Sequence, residues 1–236
     1  MTKALAVARR ELLSYFVSLI PYLVVAGFQF LIALVFFLRS AAPGAEASLR
    51  LMFFVMSIAM IPAISLLTMG LISKELDTGT VETMMTTPIT EVELILGKFL
   101  AMMGFYVVIL ATTLVFAALI LTFGQPDLGV LLTGYLGMTL LGGAYVSVGL
   151  FASTLTRYQL LSALVSMVIL SVMGFLSLVV SLLQIEVQHI AKVTGYPHIV
   201  NFSRGTFDTR GLVYFLSVTA LFLFLSVRTL ESKRWK

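Results

Sequence analysis

The sequence predicts an all-α integral membrane protein with about six transmembrane helices, and three observations lead there. Of 236 residues, 60% are hydrophobic and 11% charged, and the mean hydropathy is +1.08. A soluble domain carries roughly 25% charged residues, so water cannot be the solvent for most of this surface. The apolar residues fall into long runs broken by short polar segments containing Gly or Pro. Lys and Arg stand at the ends of those runs rather than in patches, so the net charge of +4 speaks for membrane orientation and against nucleic acid. Cysteine is absent, which removes disulfides and thiol chemistry.

Residues 1–13 place Leu5, Leu12 and Leu13 on one helical face and Lys3, Arg9 and Arg10 elsewhere. That pattern suits an interfacial helix with its basic residues among the headgroups. Span one is expected from about Tyr15 to Leu38, with Pro21 near its start, where proline is tolerated. This first apolar run is too long for a signal-peptide core and has no small-residue cleavage site behind it, so it should remain as an anchor. Span two runs from about Leu51 to Ser73 and contains Pro62, which predicts a bend. Span three runs from about Glu91 to Phe123, starting in water and entering lipid near Phe99. Span four, about Leu128 to Ser153, is rich in small residues. Gly143 and Ser147 share a face, as do Gly149 and Ser153, so helices can approach closely there, within one chain or between two. Span five runs from about Leu160 to Gln184. Residues 185–210 are broken by Gly195, Pro197 and Gly205 and read as short helices dipping into or lying on the outer face. Span six, about Gly211 to Leu230, ends in a basic tail with Trp235, a residue that favours the interface. With both termini inside, ten Lys and Arg lie on the inner side and five on the outer, which predicts cytoplasmic termini.

The segment 74–98, KELDTGTVETMMTTPITEVELILGK, is the longest polar interruption and holds five of the eleven acidic residues. Thr90, Glu91, Val92 and Glu93 form a capping box: Thr90 accepts from the amide of Glu93, and the Glu93 side chain returns to the amide of Thr90. Ile89 and Leu94 sit where a hydrophobic staple would. Glu91 and Glu93 also suit the positive end of the helix dipole, and Pro88 separates the helix from what precedes it. Between Thr78 and Thr87 there is room for a helix of about two turns. There Val81, Met84 and Met85 make one apolar face, with Glu82 elsewhere. Methionine adapts its shape to a groove. This face either docks into a cytoplasmic partner or packs on the protein's own helix ends.

Glu75, Gly79, Thr80, Glu82, Met84, Met85, Pro88, Gly97 and Lys98 together form a pattern that resembles the cytoplasmic loop of ABC-2 type permeases, the membrane subunits of one class of ATP-binding-cassette exporters. The stretch RRELLSYFVSLIPYLV is similar to that family's approach to span one, and FSRGTFDTRGLVYFLSVTALFLFLSVRTLESKRW to its last external segment and final span. Length and the C-terminal Arg-Trp look closest to the gliding-motility-associated subfamily. The resemblance implies a single transmembrane domain over residues 1–236. Glu75, Asp77, Gly79, Thr80, Val81, Glu82, Met84, Met85, Thr87 and Pro88 would dock a separate P-loop ATPase, with Thr80–Thr87 as the coupling helix. Thr90, Glu91, Glu93, Gly97 and Lys98 would form the start of span three, and Arg9, Arg10 and Glu11 would belong to the interfacial helix. Residues 185–210 would be re-entrant external helices. A second permease subunit, identical or related, would face this one in a prokaryotic inner membrane, with room for an accessory external subunit.

No glycine is followed five residues later by Gly-Lys-Ser/Thr, so the chain carries no Walker A loop. ATP and Mg²⁺ would therefore sit on the partner ATPase, and this chain would bind no cofactor and catalyse nothing itself. The expected span interiors hold no Asp, Glu, Lys or Arg; Gln29 and Gln184 are their most polar side chains. Ion-driven carriers usually keep ionisable groups at that depth, which counts against a secondary transporter. A permease-like subunit that transmits force without moving a solute is the other alternative. His189 and His198 form no metal pattern, and Ser147 lacks the first glycine of a nucleophile elbow, so Ser147 reads as a packing residue.

Overall fold

The computed structural model describes residues 2–40, 49–80, 89–123, 128–182, 201–202 and 208–234, and no strand occurs among them. In chain order the main helices are α1 (Thr2–Val17), α2 (Leu19–Ser40), α3 (Leu49–Thr68), α4 (Ser73–Thr78), α5 (Glu91–Phe123), α6 (Leu128–Leu155), α7 (Gln159–Leu182) and α8 (Thr209–Arg234). Helices α2, α3, α5, α6 and α8 carry stretches long and apolar enough to cross a membrane, and α7 adds a shorter apolar stretch, Gln159–Gly174. The chain is an all-α integral membrane protein.

Among the boundaries that differ from the sequence expectation, two bear on the polar end of the bundle. The N-terminal helix does not end at residue 13 but continues to Val17, and the helix is interrupted at Ser18. Span one therefore starts at Leu19 rather than Tyr15, which puts Pro21 in the first turn of α2, where its missing N–H costs nothing. Tyr15 belongs to α1: its hydroxyl donates to the Leu67 carbonyl at 2.9 Å, and its ring stacks on Phe105 with centroids 5.2 Å apart. Span two does not run unbroken to Ser73. Helix α3 stops at Thr68, Met69–Ile72 turn, and α4 resumes at Ser73.

The core lies around α6, in which every residue from Leu141 to Leu150 is buried. A helix buried all round has no polar stripe, and this one makes room for its neighbours with small residues. A side chain at Gly137 would come within 2.6 Å of Phe202, and at Gly134, Gly142 or Gly149 it would overlap Phe53, Tyr106 or Thr68. These close approaches are all within one chain. Several hydroxyls in the spans bond their own helix, as Ser57 does to the Phe54 carbonyl and Ser226 to that of Phe222, which satisfies them where lipid offers no partner. Outward, α2 exposes Leu19, Leu23, Phe30 and Phe37.

Candidate functional site

The polar groups converge at one end of the bundle, where α1, the α3–α4 turn, the start of α5 and the α6–α7 link meet. Helix α1 lies along α5 in the same direction: Ala4 and Val7 pack beside Gly97, and Leu12 beside Gly104. A Cβ on Gly97 would stand 2.8 Å from both the Ala4 carbonyl oxygen and Val7 Cβ. Glycine at this position thus lets the backbone of α1 reach α5.

The next residue, Lys98, is the centre of the site. By sequence it counts among the charges on the inner side; in the structure its side chain is packed into the protein, 1% exposed. The ammonium donates to Glu11 Oε1 of α1 at 3.1 Å, to Glu75 Oε1 of α4 at 2.6 Å and to the Leu71 carbonyl at 2.6 Å. Three donors meet three acceptors, which is the condition under which a buried ammonium is tolerable. Lys98 therefore joins α1, α4 and α5 in one node. Glu75 lies on the polar segment beyond the apolar turns of α3. Burial pushes its carboxyl above the usual carboxylate range, and the Lys98 ammonium opposes that rise. Glu75 Oε2 is buried with no hydrogen-bond partner.

The α3–α4 turn is held from α6. Helix α4 has Ile72 at its N-cap, with no side-chain cap of its own. Ser153 supplies one from across the bundle: its Oγ accepts from the amides of Ile72 at 2.8 Å and Ser73 at 2.9 Å and donates to the Met69 carbonyl at 3.2 Å. Helix α4 ends at Gly79, which is left-handed at φ +71, a conformation that glycine adopts without strain. Asp77 and Thr78 are exposed on α4, and Thr80 shares a hydrogen bond with Thr78 at 2.9 Å. Past the loop, Thr90 and Glu93 make the reciprocal capping pair, Thr90 N–H to Glu93 Oε2 and Glu93 N–H to Thr90 Oγ1, both 3.2 Å. Glu91 is the first residue of α5. Arg9 and Arg10 are exposed on α1. Val81, Glu82, Met84, Met85, Thr87 and Pro88 lie outside the described residues, as do His189, His198, Trp235 and most of 185–210.

Beside the node is a cleft of about 490 Å³ whose walls include Arg10, Glu11, Ser14, Lys74, Glu75 and Gln159, with Ile20 and Leu66 on its apolar side. Sequence reasoning named Gly97, Lys98, Glu75 and Glu11 without bringing them together, and it read Ser153 only as a small residue. A lysine inside the first turns of an otherwise apolar helix, with acidic residues on the segments before it, is the signal that could have found the node. It joins three helices at the two ends of one loop. A family model described as an ABC-2 family transporter protein matches residues 10–229. No curated protein matches the chain.

Proposed function

The chain belongs to the ABC-2 transporter family, and from that premise we propose that it is the permease subunit of an exporter whose work comes from a separate ATPase docked on the loop between Gly79 and Thr90. The observation that carries this is the position of Lys98. Helix α4 leads into the loop and α5 leads out of it, and Lys98 fastens one to the other and both to α1. A push on the loop then moves α4, the head of α5 and α1 as one body, while the capping pair keeps the first turn of α5 from fraying.

In this mechanism ATP binding closes the ATPase dimer, the segment around Val81–Met85 moves with it, and α5 carries the displacement into the bundle. Glu75, Asp77, Gly79 and Thr80 flank the docking surface, and Val81, Glu82, Met84, Met85, Thr87 and Pro88 form it. The termini and this loop face the cytoplasm, as the ten-to-five split of Lys and Arg supports. A second permease subunit completes the substrate route, ATP and Mg²⁺ stay on the partner, and an accessory subunit has access on the outer face.

The test is purification of the tagged chain from its native membrane in mild detergent. A stoichiometric P-loop ATPase is the expected companion, lost in Met85→Asp. In reconstituted vesicles, Glu82→Arg with Met85→Asp should leave the protein inserted but uncouple ATP hydrolysis from transport. A stable oligomer with no ATPase, or unchanged coupling in the double variant, overturns the reading.

A further inference from the structure

Gln29 is a polar side chain that the fold leaves half used. It stands near the middle of α2, whose apolar stretch runs from Leu19 to Leu38. At 1.5 Å per residue that is about 15 Å from either end, close to the midplane of a hydrocarbon core about 30 Å thick. Its side-chain N–H donates to Thr112 Oγ1 of α5, and Thr112 Oγ1 donates in turn to the Ile109 carbonyl at 2.6 Å. The Gln29 side-chain oxygen and second N–H have no partner among the described residues. Gln29 is half-buried and Thr112 exposed, and Val108 and Val115 are exposed on either side of Thr112. Hydrocarbon cannot satisfy an amide. The Tyr22 hydroxyl, on the same helix, is by contrast satisfied by the Phe16 carbonyl at 2.8 Å.

The helix is shaped for a neighbour on that side. Among the described side chains of α2, Pro21, Phe28 and Ile32 are buried, and the rest are half-buried or exposed. Tyr22, Ala26, Gln29 and Ala33 follow one another at spacings of four, three and four residues, which makes one stripe along the helix. None of the four is buried. An alanine one turn before Gln29 and another one turn after it let a second helix come close enough for the amide to be reached. We propose that this stripe is the contact with a second copy of this chain, α2 against α2 about a twofold axis normal to the membrane, with the two Gln29 amides bonded to each other. Such an axis sets a residue that faces it opposite its own image at the same depth. A primary amide carries both an acceptor and a donor, so it is its own complement. Each amide keeps its bond to Thr112 and uses its free oxygen and N–H across the axis. Acyl chains offer neither group. The inference rests on the proposed exporter only in naming its second subunit as an identical chain, and the contact does not need a docked ATPase.

Cysteine crosslinking of the full chain in native membranes, with a membrane-permeant oxidant, tests it, since the chain has no cysteine of its own. Ala26→Cys and Ala33→Cys should each give a disulfide-linked dimer of twice the chain mass. Leu31→Cys, exposed on the other side of α2 from Gln29, should give little. Equal yields from all three, or a crosslink to a different protein, overturn the proposal. Gln29→Leu suits lipid and removes the amide. Stepwise photobleaching of labelled chains in phosphatidylcholine bilayers should show its association weakened by about tenfold, and an unchanged dimer fraction overturns the proposal. The crosslinking variants keep Gln29, so they decide the matter even where Gln29→Leu does not insert. The bilayers hold no ATPase, which separates the two readings. A dimer there, with no ATPase accompanying the tagged chain from its native membrane, supports the contact and sinks the exporter. An ATPase-bound chain without the Ala26→Cys crosslink does the reverse.

Discussion

Lys98 Nζ stands 2.6 Å from Glu75 Oε1, and this one contact closes the polar loop at its base. The two residues are on different helices, one entering the loop and one leaving it. Because Lys98 also holds Glu11, the pair is a joint for three helices rather than a simple ion pair. A hydrophobic residue there could fill the space but could not reach three acceptors in three directions. The joint fixes geometry, which matters more here than net stability, since buried ion pairs contribute little of the latter.

Lys98→Met should be strongly destabilising. It leaves the Glu75 carboxylate without its ion-pair partner and the Leu71 carbonyl with no donor from the side chain, and breaking a buried pair by removing one partner costs about 3–5 kcal/mol. Adding Glu75→Gln and Glu11→Gln to Lys98→Met removes the uncompensated charges and should recover most of the loss. Thermal unfolding of the purified protein in detergent reads both. A triple variant as unstable as the single one would show that the charges are not the cause.

Gly97 should tolerate no side chain, although it sits in the interior of a helix where alanine is ordinarily the better residue. Its Cβ would press on the Ala4 carbonyl and Val7 at 2.8 Å, whereas one at Gly104 would meet Leu12 methyls at an ordinary 3.6 Å. Gly97→Ala should cost about 1–3 kcal/mol as an overpacking change, and Gly104→Ala should be neutral or stabilising. Since the chain has no native cysteine, a cysteine pair across α1 and α5 reports the same displacement directly: disulfide yield should fall in Gly97→Ala and hold in Gly104→Ala.

How far these features could be read from the sequence depends on how local their causes are. The start of α5 at Glu91 is legible because the capping box is written within four residues, and each long span is legible because lipid imposes its own composition. The Lys98 node is not, since its carboxylate partners lie 23 and 87 positions away. The break after Thr68 was missed for a related reason. Hydropathy continues through it, and what stabilises the new helix start is Ser153, 80 positions further on. The interruption at Ser18 did leave a local trace: Pro21 belongs in a first helical turn, which puts the start of span one at Leu19 rather than Tyr15.

The reciprocal bonds between Thr90 and Glu93 predict a local effect confined to the first turn of α5. Thr90→Ala removes the acceptor for the Glu93 amide and should cost about 1 kcal/mol, as a lost threonine cap does. Thr90→Ser keeps the oxygen and should be close to neutral. Hydrogen exchange is the suitable measurement, because global unfolding of a large bundle would dilute the change: amides 91–94 should exchange faster in Thr90→Ala alone, while those beyond Lys98 stay protected. Uniformly faster exchange along α5 would mean that the cap supports the whole helix and not only its first turn.

Ser153 gives the sharpest contrast between a hydroxyl that satisfies its own helix and one that satisfies another. Ser147 Oγ bonds only the Ala144 carbonyl one turn earlier, at 2.7 Å. That carbonyl already has a helical partner, so Ser147→Ala should be nearly neutral. Ser153 Oγ instead accepts from the Ile72 and Ser73 amides in a buried turn. Ser153→Ala leaves both amides without a side-chain acceptor, and each unsatisfied buried donor costs about 1–3 kcal/mol. The substitution removes one oxygen and almost no volume, so cavity effects cannot account for a large loss. Thermal unfolding should separate the two variants clearly, with amides 72 and 73 exchanging faster in Ser153→Ala. Because those amides begin the helix that carries Glu75, a loosened turn should also weaken the hold on Lys98. The loss from Ser153→Ala should then combine less than additively with that from Lys98→Met. Strict additivity would show instead that the turn and the node are independent supports.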